Sequence, residues 1–176
     1  MSYKFITPKR DIDRVFVHCS ASSAPGHDDV SIIRKWHKQR GWSDVGYHFF
    51  IKFDGTLQIG RDIERTPAAQ RGHNTGTIAI CLHGLKDEDF TEKQFETLRE
   101  LCGDIFLELP DVTFHGHCEV AAKACPVFDY QAVLNLDEYG EIISLEENYK
   151  ELASVEERLQ ALEAVVFGTL GNFHRD

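Results

Sequence analysis

No stretch of this 176-residue chain approaches the roughly 20 consecutive apolar residues that a membrane-spanning helix needs. Apolar runs stop after a handful of positions, as in IAICL (78–82) and AVVF (164–167). No N-terminal run combines basic residues, an apolar core and a small-residue cleavage site. Cysteine is sparse and odd in number, five in all, which argues against a secreted disulfide framework and for reduced thiols. The expectation is a protein that stays in the cytoplasm where it is made, has no membrane partner, and leaves only by export through other proteins or by lysis. An excess of positive charge is missing as well. The formal net charge is −10, the opposite of what a general nucleic-acid binder needs to neutralise phosphates. Most of that acidity is local, because residues 137–176 hold ten Asp and Glu against three Lys and Arg and leave only −3 for the first 136. No internal repeat is present.

What is there reads as an α/β domain with a mixed central sheet. RVFVHCS (14–20) is a short β-branched run ending at a histidine. DDVSIIRKWHKQRG (28–41) predicts a helix, with Asp28 or Asp29 as N-cap, an apolar stripe through Ile32, Ile33 and Trp36, and Gly41 as stop. GYHFFIKF and TLQIG flank Asp54-Gly55, a dipeptide that favours the two-residue type I′ turn, so a hairpin is expected. TIAICLHG (77–84) is a nearly continuous apolar run, as in a strand covered on both faces. TEKQFETLRELCGDIF (91–106) has Thr91 and Gln94 in capping-box spacing and Phe95, Leu98, Leu101, Cys102 and Ile105 on one face. DVTFHG (111–116) closes the set as a short strand. From about residue 141 an acidic amphipathic helix is expected, with Leu145, Leu152, Leu159 and Val166 at sevenfold spacing. It reads equally as a self-association surface or as a helix packed on its own domain. The expected division is a domain of residues 1–138 and a helical extension of residues 139–176.

The densest chemistry is HGHCEVAAKACP (115–126). His18, His117 and Cys125 come from two strand ends and the adjoining loop, and two imidazoles with one thiolate form an ordinary zinc set with a fourth position open. Spacing alone does not decide the matter: the gap from His117 to Cys125 matches no finger motif, and a histidine at a strand end also serves as a hydrogen-bonded core residue.

HCSAS (18–22), IRKWHKQRGWSDVGYHFFIKFDG (33–55), GHNTGTIAICLHG (72–84) and HCEVAAKACPVFD (117–129) together resemble the motif blocks of the phage T7-lysozyme type of N-acetylmuramoyl-L-alanine amidase. That zinc-enzyme family is related to the peptidoglycan recognition proteins. The resemblance spans roughly residues 14–130. It implies an amidase-like fold and hydrolysis of the amide between N-acetylmuramic acid and L-alanine in peptidoglycan. It implies Zn2+ held by His18, His117 and Cys125, with Tyr47 and Lys123 as the catalytic pair. Zinc at such a site lowers the pKa of water and polarises a carbonyl; a donor where the oxyanion forms and a proton for the leaving amine complete the requirement. As a phage endolysin, the chain would reach the wall through holin-type export or lysis.

Other residues receive plainer readings. His48 reads as a packing or ligand-steadying histidine, and His115, on the side of His117 by strand alternation, as a partner for a ligand. Glu119 is either an orienting carboxylate or a solvated one. Cys19, Cys81 and Cys102 read as small core residues, and Trp36 and Trp42 as packing under the sheet. Alignment on GHNTGTIAI puts Ala69 where members of the family carry a substrate-contacting histidine, with His73 the candidate replacement. Two alternatives accompany the resemblance. One is a peptidoglycan-binding module without catalysis. The other is an amidase that also binds a phage RNA polymerase, with MSYKFITPKR and the acidic helix as contact surfaces.

Overall fold

The computed structural model describes residues 3–143; the heptad stretch, and with it the expected C-terminal helix, lies outside the described residues. Five strands form one mixed sheet: β1 (Arg14–Cys19), β2 (Phe49–Ile51), β3 (Leu57–Ile59), β4 (Thr77–Leu82) and β5 (Thr113–Gly116). Their order is β3-β2-β4-β1-β5, with every pair parallel except the β2–β3 hairpin. Helix α1 (Val30–Gln39) follows β1, α2 (Glu92–Glu108) links β4 to β5, and the short α3 (Tyr130–Leu134) follows the last loop.

β1 lies between two parallel neighbours and is covered on both faces, which is why its sequence is an apolar run rather than an alternation. On one face Val15, Val17, Ile78, Ile80, Phe49 and Ile51 meet Leu98, Leu101, Cys102 and Ile105 of α2. On the other, Phe50 and Cys81 pack with Val30 and Ile33 of α1 and with Val45. The six-residue strands β1 and β4 are long enough to pass through this double layer and no longer, so their carboxyl ends, with that of the parallel β5, emerge at one rim. In open α/β sheets that rim is where ligands bind.

Local signals explain the elements. Asp29 caps α1 by accepting from Ser31 N–H, and Gly41 follows the helix at φ +85°. The Thr91–Gln94 capping box of α2 is present in both directions. The hairpin differs from the expectation in its turn. A type I′ turn needs positive φ at both Asp54 and Gly55, but only Gly55 has it (φ +85°). The loop is three residues long, closed by Lys52 N–H to Thr56 O (2.9 Å) and Gly55 N–H to Lys52 O (2.9 Å). The extra residue lets Gly55 sit against α2, where an added Cβ would come within 2.8 Å of Lys93 O.

Beyond α3 the chain stays with the sheet edge: Phe114 N–H donates to Gly140 O (2.7 Å), and Leu136 bridges Ile142. At the other end Phe5 is buried and Tyr3 packs edge-on against Phe49 (5.4 Å), which anchors the N-terminal segment while Lys4, Ile6, Thr7 and Lys9 stay exposed. Among the described residues, no helix is long and apolar enough to cross a membrane.

Candidate active site

His18 leaves the carboxyl end of β1, and His117 opens a 3-10 turn (His117–Glu119) directly after β5, so parallel pairing of these two strands brings the rings together at a centroid distance of 4.6 Å. Cys125 returns from the following loop. Its Sγ lies 4.0 Å from His18 Nδ1, and the three donor atoms of His18, His117 and Cys125 all lie within 4.8 Å of one another. Donors around a tetrahedral zinc sit about 3.5 Å apart, so small side-chain adjustments close the set. Both histidines suit a cation. Burial and the neighbouring His117 push His18 down to about 3, with the Lys123 charge adding to the effect. Burial, then Lys123, also lowers His117. Near neutral pH both rings therefore present a lone pair rather than a charge. The adjacent Cys19 thiol and burial push the Cys125 thiol up, so a metal must displace its proton. The Cys19 amide, 3.4 Å from Cys125 Sγ, donates toward the sulfur and favours the thiolate once it forms.

Several plainer readings change. Cys19 is not simply a core residue, because its Sγ lies 3.9 Å from that of Cys125. Cys81 and Cys102 are buried as expected. Glu119, although exposed, is an orienting carboxylate: it accepts from Gly116 N–H (2.9 Å) and from the Tyr130 hydroxyl, and pairs with His115 Nδ1 (2.7 Å). His115 spends its other nitrogen on Thr113 Oγ1 (2.8 Å), so it braces the turn that carries His117 instead of touching a ligand. The same brace explains Gly116, where a Cβ would come within 2.5 Å of the Tyr130 ring. His48 is fully buried and bonded to Ala79 N–H (3.0 Å) and Arg65 O (2.8 Å), the packing role expected.

The site opens into a groove of about 610 Å3 lined by Trp36, His37, Arg40, Trp42, Tyr47, Ala69, His117, Lys123 and Cys125 among others. Trp36 packs against the cluster of Val30, Ile33 and Phe50, as expected, and also lines the groove, whereas Trp42 stands at the surface and not under the sheet. Trp42 is 40% exposed and leans on His37 (4.5 Å), because Gly41 ends α1 and turns the chain outward. Tyr47 reaches the groove floor with its ring 5.2 Å from His18, and burial holds its hydroxyl well above the ordinary tyrosine value, so it stays a proton donor. Lys123 is exposed on the rim. Among the described residues, no carboxylate lines the groove. Ala69 lines it, whereas His73 is exposed and takes no part in the lining.

Sequence reasoning missed Gln70. It is fully buried, with Oε1 3.2 Å from His18 Nε2 and Nε2 donating to Thr77 Oγ1 (2.7 Å). Fifty-two residues separate Gln70 from His18, and no motif links them.

Comparison with known proteins agrees with this arrangement. The profile of the N-acetylmuramoyl-L-alanine amidase family (Amidase_2) matches residues 8–128. The endolysin of Escherichia phage T7 is 41% identical over 127 residues, which are 69% of this chain and 84% of that protein. Among solved structures, the N-acetylmuramoyl-L-alanine amidase LysC from Clostridium intestinale URNW superposes with a TM-score of 0.65 at 26% identity, over 77% of this chain and 93% of that one. Drosophila PGRP-LB shares the fold, with a TM-score of 0.65 at 20% identity over 78% and 88% of the two chains. With a family match over more than two thirds of its length and a sheet that gathers the His–His–Cys set at one rim, the chain belongs to the N-acetylmuramoyl-L-alanine amidase family.

Proposed function

We propose that the chain is a zinc-dependent endolysin that hydrolyses the amide joining N-acetylmuramic acid to the L-alanine of the peptidoglycan stem peptide, with the metal held by His18, His117 and Cys125. The observation that carries this reading is the convergence of those three donors, two of them neutral imidazoles, beside an open groove that His117 and Cys125 line. Zinc bound there would supply Lewis acidity, lowering the pKa of water and polarising the carbonyl oxygen.

The chain's own residues do the rest. Tyr47, kept protonated by burial beside His18, donates to the oxygen that gains charge as the carbonyl becomes tetrahedral. Lys123 brings positive charge to the same rim and a proton to the departing alanine nitrogen. The exposed Trp42 and the apolar part of Trp36 give the groove a wall against which a sugar ring or peptide stem can lie. Access to the wall would come through holin-type export or lysis. Retention of all three donors together with Tyr47 and Lys123 favours an enzyme over a binding module.

The test is digestion of purified sacculi by the full-length protein, with and without a zinc chelator, followed by identification of the new ends. Free lactyl groups on muramic acid and free N-terminal alanine, both abolished by the chelator, are expected. New reducing sugar ends would identify a glycosidase and overturn the reading.

A further inference from the structure

We propose that Gln70 is a positioning residue that selects the tautomer of His18 and so aims its Nδ1 lone pair at the metal position; the proposal rests on the zinc site inferred above. The argument is a chain of hydrogen bonds that has one satisfactory polarity. Thr77 Oγ1 lies 2.8 Å from Asn74 O, a carbonyl that can only accept, so the Thr77 hydroxyl donates there. Its oxygen is then free to accept, and the Gln70 side-chain nitrogen, 2.7 Å away, is the donor. That fixes the amide with Oε1 toward His18 Nε2 at 3.2 Å. Because Oε1 can only accept, His18 Nε2 carries the hydrogen, which leaves Nδ1 bare and 4.0 Å from Cys125 Sγ.

The loop that presents Gln70 is itself tied down. Asn74 Oδ1 accepts from the backbone N–H of both Ala69 and Gln70 (3.0 Å each), and Gln70 O accepts from His73 N–H (2.9 Å). With the glutamine fully buried, no water competes for its amide. Within this loop the buried Gln70 and Thr77, steadied by Asn74, thus form a small relay whose output is the orientation of one imidazole. Partners of this kind, which hold a ligand without touching the metal, typically change metal affinity about 10- to 100-fold when removed.

The first readout needs no metal. In zinc-free full-length protein labelled with 15N-histidine at pH 7.5, NMR should show His18 with a protonated Nε2 and a bare Nδ1. Gln70→Leu should mix the two tautomers and raise the zinc dissociation constant, measured by chelator competition, about 10- to 100-fold. Gln70→Glu keeps an acceptor in place and should restore both values to within a few-fold. If Gln70→Leu does not fold, Thr77→Val decides, since it frees the amide to turn; it should shift the tautomer balance and weaken zinc several-fold. A wild-type His18 protonated on Nδ1, or substitutions that leave both tautomer and zinc affinity unchanged, would overturn the assignment. Wild-type protein with the expected tautomer but no affinity for zinc would instead refute the metal site, so the two failures are distinguishable.

Discussion

His48 shows how a single buried ring can tie stability to pH without taking part in the chemistry. Its Nδ1 accepts from Ala79 N–H at the start of the β2–β4 pairing, and burial pushes the ring down to about 4. Between that value and the ordinary 6.5 the unfolded chain binds a proton that the folded chain refuses, so stability present at neutral pH is lost on acidification. The share of His48 at pH 5 is about 2 kcal/mol. Urea unfolding of the zinc-free protein at pH 7.5 and 5.0 should therefore show a loss larger by about that amount in wild type than in His48→Gln; equal losses would refute the assignment. At the groove, Tyr47→Phe and Lys123→Ala should each keep one zinc and lose about 100-fold or more in turnover of muropeptide, the usual effect of removing one oxyanion-stabilising group. Variants within a few-fold of wild type would return both to ordinary surface and packing roles. Legibility divides along the same line. His18, His117 and Cys125, whose donor atoms the structure gathers within 4.8 Å, were singled out by the resemblance of the blocks HCS and HCEVAAKACP and not by their spacing. Gln70 and the neighbourhood of Cys19 and Cys125 were not, since those contacts join residues 52 and 106 positions apart.

Among the elements, the helices announced themselves and the turn did not. Thr91 and Gln94 satisfy the first amides of α2 from within four residues, so the sequence window contains the whole interaction. The Asp54-Gly55 turn is set from outside, by Gly55 lying against Lys93 of α2. Two substitutions separate the three-residue loop from the two-residue turn. Gly55→Ala should cost about 1–3 kcal/mol in thermal or urea unfolding, from positive φ and the close Lys93 carbonyl. Asp54→Gly should also destabilise, because it deletes the Asp54 Oδ1 bond to Thr56 N–H (2.9 Å). A gain in stability at position 54 would indicate the type I′ geometry instead. The two tryptophans teach a related lesson. Trp36 belongs to a clean apolar stripe on α1, yet the stripe ends where the groove begins, and periodicity does not distinguish a core from the wall of a cleft.

At the scale of the whole molecule, the order of strands and helices was legible because each element carries its own signal, and the parallel pairs of the mixed sheet follow from the helix-bearing crossovers between strands. Where the domain ends was less so. The return past α3 still bonds to β5 through Gly140 and places Ile142 against the core, contacts that composition alone does not reveal. A chain stopped after Ile143 should therefore fold and keep amidase activity, one stopped at 138 should be less stable, and any self-association through the heptads should vanish in both. Light scattering and unfolding curves of the three lengths check this; aggregation of the longer truncation would make the heptad segment part of the fold. The claim on which the account turns is that His18, His117 and Cys125 hold the zinc that this amidase needs. Its most direct test is to strip the full-length protein with chelator, return zinc in measured steps, and follow release of N-terminal alanine from muropeptide beside the Cys125→Ala variant. Activity should be absent after stripping, return in full at one zinc per chain, and stay absent in Cys125→Ala; a stripped protein that remains active, or a Cys125→Ala variant with one zinc and full turnover, would contradict it.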